Sequence, residues 1–146
     1  MGIEDKRPLF RTVDEDIDRD CSSAAVEVLL QTAAGAPMTE RLLDAAESLH
    51  APHLLDVEVA QILRRLVRRG ELAPDRARQT LDDLASLPLE RYPHDILMSR
   101  VWTLRESLTA YDAVYVALAE VLEATLLTRD ARIPRAPGHA ARVEVF

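Results

Sequence analysis

Asp112 stands at the head of a run of small and apolar residues that extends to residue 119. A helix of this composition is expected to be buried, and a buried carboxylate is costly unless it is capped, paired or bound to a metal ion. Thr109 lies three residues earlier, at the spacing of a capping box, so a helix cap is the simplest interpretation. A metal ligand is the alternative, and it gains weight if other acids occupy similar positions.

Two more acids lie in apolar surroundings. Glu58 falls three residues after Leu55 and four before Ile62, which places it in the apolar stripe of a helix. Asp130 follows a short apolar run at residues 124–128, and ligands of parallel sheets bind beyond the carboxyl ends of the strands. A salt-bridged glutamate and a turn aspartate are the structural alternatives. Three acids in such positions nevertheless favour a shared site.

Asp20 is the fourth acid, and it ends a candidate short strand at residues 17–20, just before a helix that begins at Ser23. Its structural alternative is an ordinary N-cap, a position that aspartate and serine both favour. Four carboxylates at strand ends and helix starts could converge in one pocket. Because close carboxylates repel, such a pocket needs a divalent cation or raised pKa values. Ligation by oxygen atoms alone favours Mg²⁺ or Mn²⁺ over Zn²⁺.

The elements that must position these acids follow from periodicity and from the placement of proline and glycine. Helices are predicted from residue 23 to the break at 35–37 and over residues 38–49, 54–69, 74–87, 93–105 and 110–123. Strands are predicted over residues 17–20, 50–52, 89–92, 124–128 and 142–146. This alternation predicts one α/β domain with a largely parallel sheet over residues 17–146, preceded by a polar N-terminal extension over residues 1–16.

Composition narrows the classes of function. The chain of 146 residues has a formal net charge of −7, which argues against binding nucleic acid through bulk positive charge. It does not exclude an enzyme that reaches phosphates through bound cations. The single cysteine excludes an intrachain disulfide. No apolar run is long enough to cross a bilayer and the N-terminus has no apolar signal core, so we expect a cytoplasmic protein that does not bind membranes.

Five motifs occur in an order that resembles a known family. They are Asp-Cys-Ser at 20–22, Ala-Pro-His-Leu-Leu-Asp-Val-Glu-Val at 51–59, Arg-Tyr-Pro-His at 91–94, Tyr-Asp-Ala-Val-Tyr-Val-Ala-Leu-Ala at 111–119 and Leu-Leu-Thr-Arg-Asp at 126–130. Together they resemble the PIN-domain ribonucleases, and within them the VapC toxins of bacterial toxin–antitoxin pairs. The resemblance covers about residues 18–146. It implies a three-layer α/β/α fold, Mg²⁺-dependent cleavage of RNA, a homodimer, and inhibition by a cognate VapB-type antitoxin.

The resemblance also implies roles for particular residues. The metal-binding and catalytic acids would be Asp20, Glu58, Asp112 and Asp130. Water activated by the cation would then hydrolyse the phosphodiester bond. Ser22 and Thr128 could orient the carboxylates as hydrogen-bond donors.

One feature departs from the family. Its members usually begin with an apolar strand that ends in the first aspartate, whereas this chain begins with polar residues. Counting back from the first helix, Cys21 rather than Asp20 could occupy the first acid position. A catalytically degenerate PIN domain that only binds its antitoxin is therefore an alternative. A metal-dependent phosphatase is a second, although it would require a nucleophilic aspartate after a strong first strand.

Several arginines are candidates for contact with RNA. Arg64 and Arg68 belong to a cluster on the polar side of the helix at 54–69. A solvated helix face is the structural interpretation, and a row of phosphate contacts is the functional one. Arg129 and Arg132 flank Asp130, so they could pair with carboxylates or contact substrate.

Overall fold

The structure is a computed structural model, and it describes residues 8–10, 24–44 and 48–146. Its strands are β1 (Pro8–Phe10), β2 (Leu49–Pro52), β3 (Leu89–Tyr92), β4 (Thr125–Thr128) and β5 (Arg142–Val145). Its helices are α1 (Ala24–Leu29), α2 (Ala36–Asp44), α3 (Leu54–Arg68), α4 (Pro74–Ser86), α5 (Met98–Thr103) and α6 (Ala110–Leu122). Short 3₁₀ turns cover Ala33–Gly35, Asp95–Leu97 and Ile133–Arg135. Among these described helices, none is long and apolar enough to cross a membrane.

The five strands form one parallel sheet in the order β3-β2-β1-β4-β5. Successive side chains of a strand point to opposite faces of its sheet, and β4 shows where the two faces lead. Leu126 packs with the residues of α5 and α6, whereas Leu127 packs with those of α1 to α4. The sheet is thus covered by helices on both sides. The predicted three-layer α/β/α fold with a short, mostly parallel sheet is confirmed.

Helix α6 lies at the centre of one layer, and residues 113–119 are almost inaccessible to solvent. Its start is fixed by Thr109, whose hydroxyl oxygen accepts a hydrogen bond from the backbone N–H of Asp112 at 3.2 Å. This is half of the predicted capping box, and it satisfies one of the donors that a helix leaves unpaired at its N-terminus. Because α6 leads directly into β4, its N-terminus lies at the carboxyl edge of the sheet.

The N-terminal part of the fold differs from the prediction. β1 lies at Pro8–Phe10, within the segment predicted to be an extension, and it pairs with β2 on one side and β4 on the other. A three-residue strand among polar neighbours is too short to show a period of two, so the sequence does not reveal it. The predicted strand at residues 17–20 lies outside the described residues.

Three predicted helices also have different boundaries. The helix predicted from residue 23 to the break at 35–37 ends at Leu29, because Gln31 has a left-handed φ of 56° and the 3₁₀ turn at Ala33–Gly35 follows. The helix predicted over residues 38–49 ends at Asp44, and Leu49 begins β2 because it pairs with Leu89 of β3. The helix predicted from residue 93 begins at Met98, after the 3₁₀ turn at Asp95–Leu97. Leu97 is buried in the turn and Leu49 is partly buried in the strand, whereas Leu43, Ile96 and Met98 are exposed.

An ion pair joins α5, α6 and the segment that leads to β5. Arg100 donates to Glu120 Oε2 at 2.7 Å and to Oε1 at 2.9 Å, and it also donates to the carbonyl of Gly138. The backbone N–H of Ala140 donates to Glu120 Oε1. The hydrogen bond from Arg100 lowers the pKa of Glu120, an effect that burial opposes and Ala140 reinforces.

We expect Glu120→Gln to lower the free energy of unfolding by about 1 kcal/mol at pH 7, because it weakens charge-assisted hydrogen bonds of a largely buried carboxylate. A lowered pKa means that the ion pair stabilises the fold above the ordinary glutamate pKa of 4.5, and that this stabilisation is lost as the pH falls through the lower folded value. Urea denaturation at pH 7 and near pH 3 measures both. Glu123→Gln, which removes the same charge from an exposed residue, is the control. A deficit that persists undiminished near pH 3 would contradict this assignment.

Candidate active site

Three predicted acids lie at the carboxyl edge of the sheet. α3 follows the end of β2, α6 runs back towards the start of β4, and Asp130 comes two residues after the end of β4. Parallel strands end on one side, so Glu58 near the start of α3, Asp112 in the first turn of α6 and Asp130 share that side. Each is 7% exposed or less.

Two of these acids line the same cleft. Asp112 and Asp130 face a cleft of about 140 Å³, together with Arg132 and five other residues that include Thr109 and Ile133. The polar side chains that line the cleft are these two carboxylates, the hydroxyls of Ser107 and Thr109, and the guanidinium of Arg132. Of the three predicted acids in the described part of the chain, Asp112 and Asp130 are thus the two that share a cleft.

Glu58 is joined to the same helix that carries Asp112. The hydroxyl of Tyr115 donates to Glu58 Oε2 at 2.5 Å, and both residues are buried. Tyr115 lies three residues after Asp112, so the two side chains share a face of α6. Glu58 is therefore linked to the face of α6 that carries Asp112, although it does not line the cleft. Tyr115 was not among the predicted site residues.

The start of α3, which sets the position of Glu58, is held by the motif at 91–94. His94 Nε2 accepts a hydrogen bond from the backbone N–H of Leu54 at 2.9 Å. Arg91 donates to both carboxylate oxygens of Asp56, at 2.7 and 3.0 Å, and to the carbonyl of Leu84. The hydrogen bond to Asp56 raises the pKa of Arg91. The motif thus acts through α3 rather than at the cleft.

Asp130 is held by its own turn and by an arginine. Its backbone N–H donates to Thr128 Oγ1 at 3.0 Å, so the hydroxyl oxygen of Thr128 accepts from the backbone, whereas the sequence suggested a donor to a carboxylate. The backbone N–H of Arg132 donates to Asp130 Oδ1 at 2.8 Å. The guanidinium of Arg132 spans both oxygens, with Nε 3.0 Å from Oδ1 and Nη2 2.9 Å from Oδ2.

Arg129, the other arginine beside Asp130, pairs with an acid that the sequence did not single out. Its Nη1 donates to Glu27 Oε1 at 3.0 Å, and the hydroxyl of Thr32 donates to the other oxygen of this carboxylate. Glu27 is buried in α1. It interrupts an apolar helix in the way that Glu58 does, and this signal could have identified it. Pairing with carboxylates is confirmed for Arg129 and Arg132.

The remaining predicted residues do not meet at the cleft in the described structure. Arg64 and Arg68 are exposed on α3, about 9 and 15 Å along the helix axis from Glu58. Asp20 and Ser22 lie outside the described residues. β1 ends at Phe10, ten residues before Asp20, so β1 is not the predicted strand that ends in the first acid.

The donor set of the cleft fits a hard divalent cation. Among residues 24–44 and 48–146, no three His, Cys, Asp or Glu side chains form a group able to hold a metal. Mg²⁺ needs fewer protein ligands, because it usually keeps several waters and takes one or two carboxylates together with substrate phosphates. Asp112 and Asp130 supply such a pair, and neither histidine nor cysteine lines the cleft.

Comparisons with known proteins agree with this geometry. The model of the PIN domain family matches residues 22–139. The chain is 42% identical over 125 residues to Ribonuclease VapC1 of Mycobacterium tuberculosis, covering 85% of this chain and 93% of the relative. It is 45% identical over 112 residues to Ribonuclease VapC9 of the same organism, covering 77% and 84%.

A solved structure shares the fold. The crystal structure of VapBC2 from Rickettsia felis bound to a DNA fragment from their promoter matches with a TM-score of 0.62 and 15% identity, over 84% of this chain and 92% of the matched chain. The extent of the family match and the identity to the curated relatives lead to one conclusion. The chain belongs to the PIN-domain family and, within it, to the VapC ribonucleases.

Proposed function

We propose that this protein is a Mg²⁺-dependent endoribonuclease that acts as the toxin of a type II toxin–antitoxin pair. One observation carries the proposal: two buried carboxylates, Asp112 and Asp130, line a single cleft at the carboxyl edge of a PIN-domain sheet. Relatives that cover most of the chain are named ribonucleases. The substrate would be an RNA phosphodiester, cleaved by water.

Each residue has a role in this mechanism. Asp112 and Asp130 would hold the cation, and Glu58 and Asp20 would complete its acidic surroundings. A bound Mg²⁺ would supply positive charge for the phosphate and a more acidic water. Tyr115 fixes one oxygen of Glu58. The backbone N–H of Arg132 orients the Asp130 carboxylate directly, and the N–H of Asp130 holds the turn through the hydroxyl of Thr128.

The partners follow from the same assignment. The VapBC complex among the structural neighbours supports a VapB-type antitoxin as the partner. We further propose a homodimer, a cytoplasmic location where cellular RNA is available, and substitution of Mn²⁺ for Mg²⁺. Arg64 and Arg68 are proposed RNA contacts on the exposed face of α3. Arg129 is the weaker candidate, since it pairs with Glu27.

We expect Asp112→Asn to lower Mg²⁺-dependent RNA cleavage by at least about 100-fold, because the cation loses a charged ligand. Thermal stability should be unchanged or higher, since removing one of several close carboxylates relieves repulsion. Cleavage of labelled RNA and thermal unfolding measure the two effects. Asp95→Asn, at an exposed acid, is the matched control and should keep full activity. Equal cleavage by Asp112→Asn and wild type would refute the site.

We expect Tyr115→Phe to lower cleavage about tenfold, because partners that orient metal-site carboxylates typically contribute this much. The concentration of Mg²⁺ that gives half-maximal activity should rise, which a loss of stability alone would not cause. Tyr111→Phe on the same helix is the control, since Tyr111 is exposed. An unchanged Mg²⁺ requirement in the Tyr115 variant would show that the hydrogen bond to Glu58 is only structural.

The first acid position requires its own comparison. We expect Asp20→Asn to abolish cleavage and Cys21→Ala to preserve it, because only a carboxylate can serve as a hard oxygen ligand there. The same RNA cleavage assay decides the matter. Full activity in Asp20→Asn would reject this assignment. If wild type is also inactive but binds a VapB-type antitoxin, the degenerate PIN domain is the correct alternative.

A further inference from the structure

The guanidinium of Arg132 lies on the carboxylate that is proposed to bind a metal. It contacts both oxygens of Asp130, at 3.0 Å from Nε and 2.9 Å from Nη2. This two-point geometry is the strong form of an arginine–carboxylate pair. Arg132 also lines the cleft that Asp112 and Asp130 share. A positive charge of the chain itself therefore lies at the mouth of the proposed metal site.

A divalent cation and this guanidinium would compete for the same atoms. Both neutralise Asp130, and two cations within a few ångströms of each other repel. Metal binding at the carboxylate thus favours departure of the guanidinium. The side chain of Arg132 is 60% exposed, whereas that of Asp130 is 6% exposed. Loss of the guanidinium alone would leave a buried charge uncompensated, but a bound cation would take over the neutralisation of Asp130 while the exposed guanidinium regains water.

Departure of the guanidinium would leave Asp130 correctly oriented. The backbone N–H of Arg132 donates to Oδ1 at 2.8 Å, and the N–H of Asp130 itself donates to Thr128. Neither bond involves the guanidinium. The backbone therefore positions the carboxylate of Asp130, and the side chain of Arg132 neutralises it. A cation can take over the neutralisation without disturbing the position of the carboxylate.

We propose that Arg132 is an exchangeable counter-cation: it neutralises Asp130 until a divalent cation binds there, and the displaced guanidinium then pairs with a phosphate of the RNA. This exchange rests on the proposed function. Guanidinium groups match phosphate oxygens in the same two-point manner as carboxylates. Because Arg132 lines the cleft, the displaced side chain stays beside the bond to be cleaved.

Calorimetric titration of the full chain with Mn²⁺ tests the first half. We expect Arg132→Gln to bind Mn²⁺ about fivefold more tightly than wild type, because the cation no longer competes with the guanidinium for the oxygens of Asp130. Arg132→Lys, which keeps the charge but not the two-point geometry, should fall between them. Arg135→Gln is the matched control, since it removes the same charge from an exposed residue of the same segment. An Arg132→Gln affinity equal to or weaker than that of wild type, or equal to that of Arg135→Gln, would overturn the exchange.

Steady-state cleavage of RNA at saturating Mn²⁺ tests the second half. We expect Arg132→Gln to raise KM about fivefold with little change in kcat, because a phosphate contact made equally in the ground and transition states is lost. An unchanged KM would equally overturn the exchange. Asp130→Asn separates the two proposals. If wild type binds no Mn²⁺, or if Asp130→Asn binds it as tightly as wild type, the metal site itself is wrong.

Discussion

The structure depends on how buried carboxylates are kept at one edge of the sheet without destabilising it. Four buried carboxylates lie at or near this edge: Glu27, Glu58, Asp112 and Asp130. An ionised carboxylate removed from water needs hydrogen bonds or a cation. Their side-chain partners include Tyr115 for Glu58, Arg132 for Asp130 and Arg129 for Glu27. Asp112 occupies the first turn of α6, where the helix dipole favours an acid. Different partners thus solve the same electrostatic problem.

Helix α6 links the buried carboxylates to the hydrophobic core. Its residues from 113 to 119 are buried, so the helix is fixed by packing against the sheet and α5. The same helix carries Asp112 at its start and Tyr115 one turn later, and Tyr115 reaches across to Glu58 on α3. Because one rigid element determines two acidic positions, small shifts of α3 or α6 would disturb both. A largely apolar helix is therefore as much a part of the site as the acids.

Most of the fold could be predicted from the sequence, and the failures have physical causes. α3, α4 and α6 are long enough for a helical period and have proline or glycine near their ends, and they lie within one or two residues of the prediction. β1 could not be found, because three residues carry no period and its stability comes from two neighbouring strands. The acids Glu58, Asp112 and Asp130 could be selected because each interrupts apolar sequence. Their partners could not, because the contact between Glu58 and Tyr115 spans 57 positions.

The pairing of acids with arginines also bears on how a chain with a net charge of −7 could accept RNA. Long-range repulsion opposes the approach of a polyanion, so the favourable charge must be local. Arg132 lines the cleft and Arg129 lies next to Asp130 in the chain, but their charges are paired with those of Asp130 and Glu27. In the proposed exchange, a divalent cation takes over the neutralisation of Asp130 and releases one of those charges. The cleft then gains two positive charges from the ion while retaining Arg132, so its attraction for phosphate depends on metal binding.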